Sequence, residues 1–178
     1  MSQKNFGANL THSNLTPNQN KPIISHMEKQ EENLIKVIKG CAKAILAELG
    51  PGWKEDIFQN AMEVALRDRG IMYETQRTLP ISFSGHVIGE VYPDLVVWLK
   101  DNGKKVGLVV ELKAEPGLKE EFTVQAKRYI KELRKQVRGG ESIYSKALLV
   151  NFIREQNSVK LKEGFEDLGG IQVLEVSA

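Results

Sequence analysis

Asp94, Glu111 and Lys113 stand out as residues that could do chemistry together, in the two apolar runs "YPDLVVWL" and "VGLVVELKA". Two carboxylates held side by side, with the backbone carbonyl of the intervening Leu112, make an oxygen-rich site for a hard divalent cation. Mg²⁺ fits such a donor set best, and Mn²⁺ can replace it. The Lys113 ammonium would stand beside that cation. There it could orient a water, hold a phosphate oxygen or stabilise developing charge. These are the parts that phosphodiester hydrolysis needs.

The elements around them decide whether the residues can meet. Asn102-Gly103 is the strongest short-range hairpin signal, and valine-rich runs flank it on both sides. With those two residues as the loop, Asp94 falls directly opposite Glu111, with Cβ atoms about 5 Å apart. Strand alternation puts Glu111 and Lys113 on one face and the Leu112 side chain on the other. Like charges facing each other repel, so a cation between them is expected. The plainer reading stays open at this level. "ELK" is a common tripeptide, and an aspartate after Pro93 can simply begin a strand.

Along the chain, residues 1–25 are rich in Asn, Ser, Thr and Gln and read as a flexible polar tail, leaving 26–178 as the folded domain. A helical stripe of Leu34, Ile38, Cys41, Ala42, Ile45 and Leu49 ends at Gly50-Pro51. A second helix is expected from about Trp53 to Arg69. Strands follow at about Tyr73 to Phe83, Val87 to Leu99 and Lys105 to Ala114. A helix spans about Lys119 to Val137, and "IYSKALLVNF" and "IQVLEV" read as closing strands, with room for a further helix between them. The order αα-βββ-α-β-(α)-β describes one mixed α/β domain with a helix crossing between strands three and four.

The helices add candidates. Glu55 shares the apolar stripe of Phe58 and Met62, where a carboxylate needs a partner, although acidic residues in a first turn also complement the helix dipole. Gln125 and Tyr129 lie one turn apart on the helix after the "ELK" strand, so both can look back at its face, with core packing the simpler role for Tyr129. Lys127, Arg128, Lys131, Arg134, Lys135 and Arg138 concentrate positive charge on that helix. They form either a solvated face or a cradle for a phosphate backbone. His12, His26 and His86 have no ligand spacing, and His86 reads as a surface turn residue.

Composition sets the limits. With 25 basic and 23 acidic residues, the net charge of +2 does not by itself announce a nucleic-acid binder, so any basic surface must be local. The single cysteine, Cys41, allows no internal disulfide and fits a reducing compartment. No apolar run approaches the roughly 20 residues of a spanning helix, and the N-terminus lacks the apolar core of a secretory signal. A soluble intracellular protein is expected, cytoplasmic or nuclear rather than secreted, without a membrane partner. A homodimer is left open.

The pattern resembles the PD-(D/E)XK nuclease superfamily, whose two central motifs are matched by Pro93-Asp94 and by Glu111-Leu112-Lys113. "LGPGWKEDIFQNAMEVALRDRGI" is similar to the signature of its GxxExxY branch, with Gly52 and Glu55 in place and Phe58 where tyrosine is usual. Gln125 and Tyr129 in "FTVQAKRYI" resemble that branch's Gln-x-x-x-Tyr segment, and "ALLVNF" its closing strand. The arginine common two residues before the motif aspartate is missing, since Tyr92 stands there. The resemblance implies a restriction-endonuclease-like α/β sandwich, with a mixed central sheet flanked by helices. It implies metal ligation by Asp94 and Glu111, a catalytic Lys113, and Glu55 and Gln125 in support. The function expected is Mg²⁺-dependent hydrolysis of DNA, with RNA as a second substrate class. A catalytically silent nucleic-acid-binding or assembly module on the same scaffold is the alternative.

Overall fold

Strand β5, Lys104–Lys113, runs through the middle of the molecule, and everything from Val106 to Lys113 is buried. Such a continuous apolar run marks a strand covered on both faces. The computed structural model describes residues 21–101, 103–154 and 164–178, with backbone alone at 21–24 and 101. The expected polar tail therefore lies almost wholly outside the described residues.

The other elements are α1 (Lys21–Leu49), α2 (Glu55–Asp68), β1 (Met72–Thr75), β2 (Leu79–Phe83), β3 (His86–Val91), β4 (Leu95–Asp101), α3 (Glu120–Arg134), β6 (Glu141–Phe152), β7 (Glu166–Asp167) and β8 (Ile171–Ser177). A six-stranded sheet takes the order β1-β4-β5-β6-β8-β7, while β2 and β3 form a separate two-stranded ribbon. β5 and β6 are parallel, joined by the α3 crossover, and the other pairs are antiparallel. This is a mixed α/β sandwich, as the sequence led us to expect. The further helix expected between the last two long strands falls mainly in 155–163, outside the described residues. What is described there is the short β7.

Helices cover both faces. The α1 residues Leu34, Ile38, Cys41 and Ile45 and the α2 residues Phe58, Met62 and Leu66 pack on Leu95, Val97, Val110, Leu112 and Val150. Phe58 and Phe152 stack with ring centroids 4.0 Å apart, and both are buried. A phenylalanine suits this place, because a tyrosine hydroxyl would need a buried partner. On the opposite face α3 lays Ala126, Tyr129, Ile130 and Leu133 against Val96, Trp98, Val109 and Leu149. Gly107 lies opposite Trp98, and a Cβ there would come within 2.8 Å of the indole, so only glycine admits the ring.

Two long strands expected from the sequence are each divided. The chain breaks at Gln76, whose φ is +46° and whose N–H donates to the Asp94 carbonyl, and again at Tyr92-Pro93 before β4. A proline lacks the ladder donor, and a residue at positive φ leaves extended geometry, so neither run continues as one strand. The segment between them, β2–β3, leaves the main sheet. α1 also begins five residues before the expected His26, at Lys21.

Candidate active site

The register of β4 and β5 runs from Leu95↔Val110 to Asp101↔Lys104, the pairing that an Asn102-Gly103 loop requires. Asn102 itself is outside the described residues. One step beyond Leu95, Asp94 faces Glu111, and each carboxylate binds the other's strand. The Asp94 N–H donates to Glu111 Oε1 at 3.0 Å, and the Leu112 N–H donates to Asp94 Oδ2 at 2.8 Å. Leu95, Val97, Val110 and Leu112 belong to the α1–α2 core, whereas Val96 and Val109 belong to the α3 core. Strand alternation therefore puts Asp94, Glu111 and Lys113 together on the α3 face.

Lys113 Nζ lies 3.3 Å from Glu55 Oε1, 3.5 Å from Asp94 Oδ2 and 3.8 Å from Glu111 Oε2. Glu55 arrives from the first turn of α2, held there by the Phe58 stack one turn later. It serves both readings at once, as an acidic residue at a helix start and as a partner of Lys113. Three carboxylates thus surround one ammonium. Burial pulls the Lys113 amine down, but the combined charge of Asp94, Glu111 and Glu55 outweighs it and the pKa is raised. Glu111 is 1% exposed, and its pKa is pushed up to about 8, first by burial and then by the Asp94 charge, with Lys113 only partly offsetting both. Burial likewise raises Glu55, against the pull of Lys113.

Gln125 does not contact a carboxylate through the hydrogen bond that it makes. Its Nε2 donates to Tyr129 Oη at 2.8 Å. Tyr129 is buried in the α3 core, and its phenol is raised by burial and then by the Glu111 charge, so its hydroxyl feels the site. Packing and proximity to the site coexist in this residue. Lys127, Arg128, Lys131 and Arg134 are all exposed on the outer side of α3, and Arg134 also donates to the Tyr144 carbonyl at 3.3 Å. His86 is exposed beside the β2–β3 turn, away from any ligand cluster.

Three residues are not singled out by the sequence. The Lys113 ammonium lies over the Phe122 ring, 5.6 Å from its centroid. Asn151 and Gln172 are buried, and they fasten the segment that follows Lys113. Asn151 accepts from the Glu115 N–H at 2.9 Å and donates to the Glu115 carbonyl and Gln172 Oε1, both at 3.1 Å. Gln172 Oε1 also accepts from the Leu118 N–H at 3.2 Å. A signal was present, since each is a lone amide within an apolar strand, in "ALLVNF" and "IQVLEV".

The donor set bears on a cation. Among the described residues no three His, Cys, Asp or Glu side chains form a closed metal cage. Mg²⁺ does not ask for one, being bound by one or two carboxylates together with waters and substrate phosphates. Asp94 and Glu111 match that demand, and the Glu111 pKa is raised by burial first and by the Asp94 charge second.

The mixed sheet thus carries an acidic pair and a lysine at the end of its two central strands, β4 and β5. The family model for the PD-(D/E)XK nuclease superfamily matches residues 32–164, and the chain belongs to that superfamily. No curated protein and no solved structure matches it. No described helix is long and apolar enough to cross a membrane.

Proposed function

We propose that the protein is a Mg²⁺-dependent nuclease that hydrolyses phosphodiester bonds in DNA, with RNA as the substrate class to be tested beside it. Within the superfamily, Gly52 and Glu55 favour the GxxExxY branch, with Phe58 at the position where that branch usually has tyrosine. The observation that carries the reading is the pair of buried Glu111 and half-buried Asp94, joined through reciprocal backbone bonds with Lys113 alongside.

Asp94 and Glu111 would hold the Mg²⁺, which when bound supplies an activated water and neutralises charge on the phosphate. A strand residue points its N–H and C=O toward the same neighbour. The Leu112 N–H meets Asp94, which supports the Leu112 carbonyl as the third oxygen. Lys113 keeps its proton among three carboxylates and offers it in hydrogen bonds to a phosphate oxygen as charge builds there. Glu55 orients that ammonium through the 3.3 Å contact. Gln125 donates to the Tyr129 oxygen, leaving the phenol proton free to donate toward a phosphate or water on the Glu111 side. The exposed Lys127, Arg128 and Lys131 supply phosphate contacts that position the strand without reading its sequence.

The test is cleavage of single-stranded, duplex and branched DNA and RNA in Mg²⁺ and Mn²⁺, with wild type beside Glu111→Gln. Cleavage by wild type that the variant lacks supports the enzyme. Wild-type cleavage no greater than the variant's, with nucleic acid still bound, would leave the silent binding module standing.

A further inference from the structure

The β2–β3 ribbon inverts the usual burial rule. At its base Leu79 is fully buried in the α3 core, yet every residue from Ser82 to Glu90 is exposed. Phe83, Val87 and Ile88 are 70, 61 and 66% exposed. Beyond that base neither face of the ribbon is covered, and an uncovered two-stranded tip is marginal in water, so large apolar side chains there call for a partner. The pairing sharpens this. Ile81 faces Gly89 and Ser82 faces Val87, which leaves Ile88 as the extra residue of a bulge. A bulge re-aims side chains, and such features concentrate near functional sites. Ser84 and Gly85, at φ +49° and +82°, close the ribbon in a tight turn and keep the tip narrow.

The surroundings indicate the partner. A groove of about 600 Å³ beside the ribbon is lined by Arg77, Pro80, Lys135, Arg138 and Glu141, with Arg77 paired to Glu74 at 2.9 Å and Lys135 to Glu132 at 2.6 Å, so its positive charge centres on Arg138. The ribbon's return strand ends at Val91, three residues before Asp94. The apolar tip, Arg77 and Pro80 of the groove, and Asp94 thus lie on one continuous stretch, 77–94, while Lys135 and Arg138 follow the end of α3 and Glu111 stands on β5. Flat apolar faces beside a polyanionic backbone are what an unstacked nucleic acid presents. A second copy of the chain fits less well. A twofold contact through the same ribbon would bring each basic groove toward its own copy, where like charges repel.

We infer that the β2–β3 tip is a wedge that enters nucleic acid where base stacking is already broken. The preferred substrate is then a forked or otherwise interrupted duplex rather than a continuous one. This rests on the nuclease reading above and names its substrate class.

The test uses Phe83→Ser/Val87→Ser/Ile88→Ser in the full chain, with thermal melting as the check on folding. Binding is measured in Ca²⁺, which often supports association without cleavage. The probes are a fork with two unpaired arms and a blunt duplex of the same length, each made in DNA and in RNA. Wild type is expected to favour the fork by about tenfold, and the variant to bind fork and duplex alike, at the wild-type duplex affinity. A wild type without fork preference, or a variant that keeps it, overturns the wedge while leaving the nuclease reading intact. A wild-type dimer that the triple substitution splits, read by sedimentation, overturns it in favour of a protein contact. Failure of wild type to bind any of the probes overturns both readings.

Discussion

Two polar clusters lie near the same end of the sheet, and they are built on opposite terms. Around Asn151 and Gln172 every contact is between neutral partners, and each buried amide meets backbone or side-chain groups at 2.9–3.2 Å. Around Glu111 three carboxylates share one ammonium, and burial raises the pKa of two of them. The neutral cluster is satisfied and serves as a fastener. The charged one is left short of positive charge, which is costly in a buried place. Acids with raised pKa values gathered beside a lysine are a common signature of functional sites.

The largest effect should come from breaking the charged cluster at its lysine. Lys113→Ala should bind Mn²⁺ but lose cleavage by about 10²–10³-fold, since its contribution begins where charge develops. Single-turnover rates beside calorimetric metal affinity separate the two quantities. Breaking the neutral cluster should do the reverse. Asn151→Ala removes the partner of the part-buried Glu115 N–H and leaves the Glu115 carbonyl with the Arg154 N–H and Gln172 Oε1 with the Leu118 N–H. It should cost about 3 kcal/mol and lower the melting temperature by roughly 6–12 °C, with metal affinity changing far less.

A pH series sharpens the comparison. Glu111 has a folded pKa near 8 against an ordinary 4.5. Below the ordinary value both states are protonated and the group contributes nothing. Between the two values the unfolded chain has released a proton that the folded one keeps, so stability falls as pH rises. Above the folded value the full penalty stands, of the order of a few kcal/mol. Glu55, shifted the same way, adds to this slope. Metal-free wild type should therefore lose melting temperature from about pH 5 to pH 8, and Glu111→Gln should flatten that decline. The smallest effect belongs to the outer helix. Lys127→Ala/Lys131→Ala should weaken binding to all sequences alike, and the salt slope should fall by about one for each phosphate that is no longer neutralised.

Much of the charged cluster was legible because its signals are local. Asn102-Gly103 fixes a register, and the register fixes which carboxylates meet. The helices announced themselves through periodic apolar stripes, and Glu55 through its place on one of them. The neutral cluster was harder to see, because Asn151 and Gln172 meet only once β6 and β8 pair, 21 residues apart in sequence. The β2–β3 ribbon was hidden for a different reason. Its apolar residues read as parts of two long strands, and only the break at Gln76 and the packing of Leu79 under α3 separate them from the main sheet. Gln125 was placed on the correct helix, but its link through Tyr129 depends on side-chain direction that spacing alone does not give.

Central to the proposed chemistry is the Asp94–Glu111 pair as the holder of the cation, with burial and the Asp94 charge raising the Glu111 pKa to about 8. Calorimetric titration of Mn²⁺ at pH 7, repeated in buffers of different ionisation enthalpy, counts the protons released on binding. Wild type should release close to one proton per bound ion, a count that falls toward zero above pH 9, and Glu111→Gln should bind far more weakly. Binding with no proton release at pH 7, or affinity unchanged by the substitution, would contradict it.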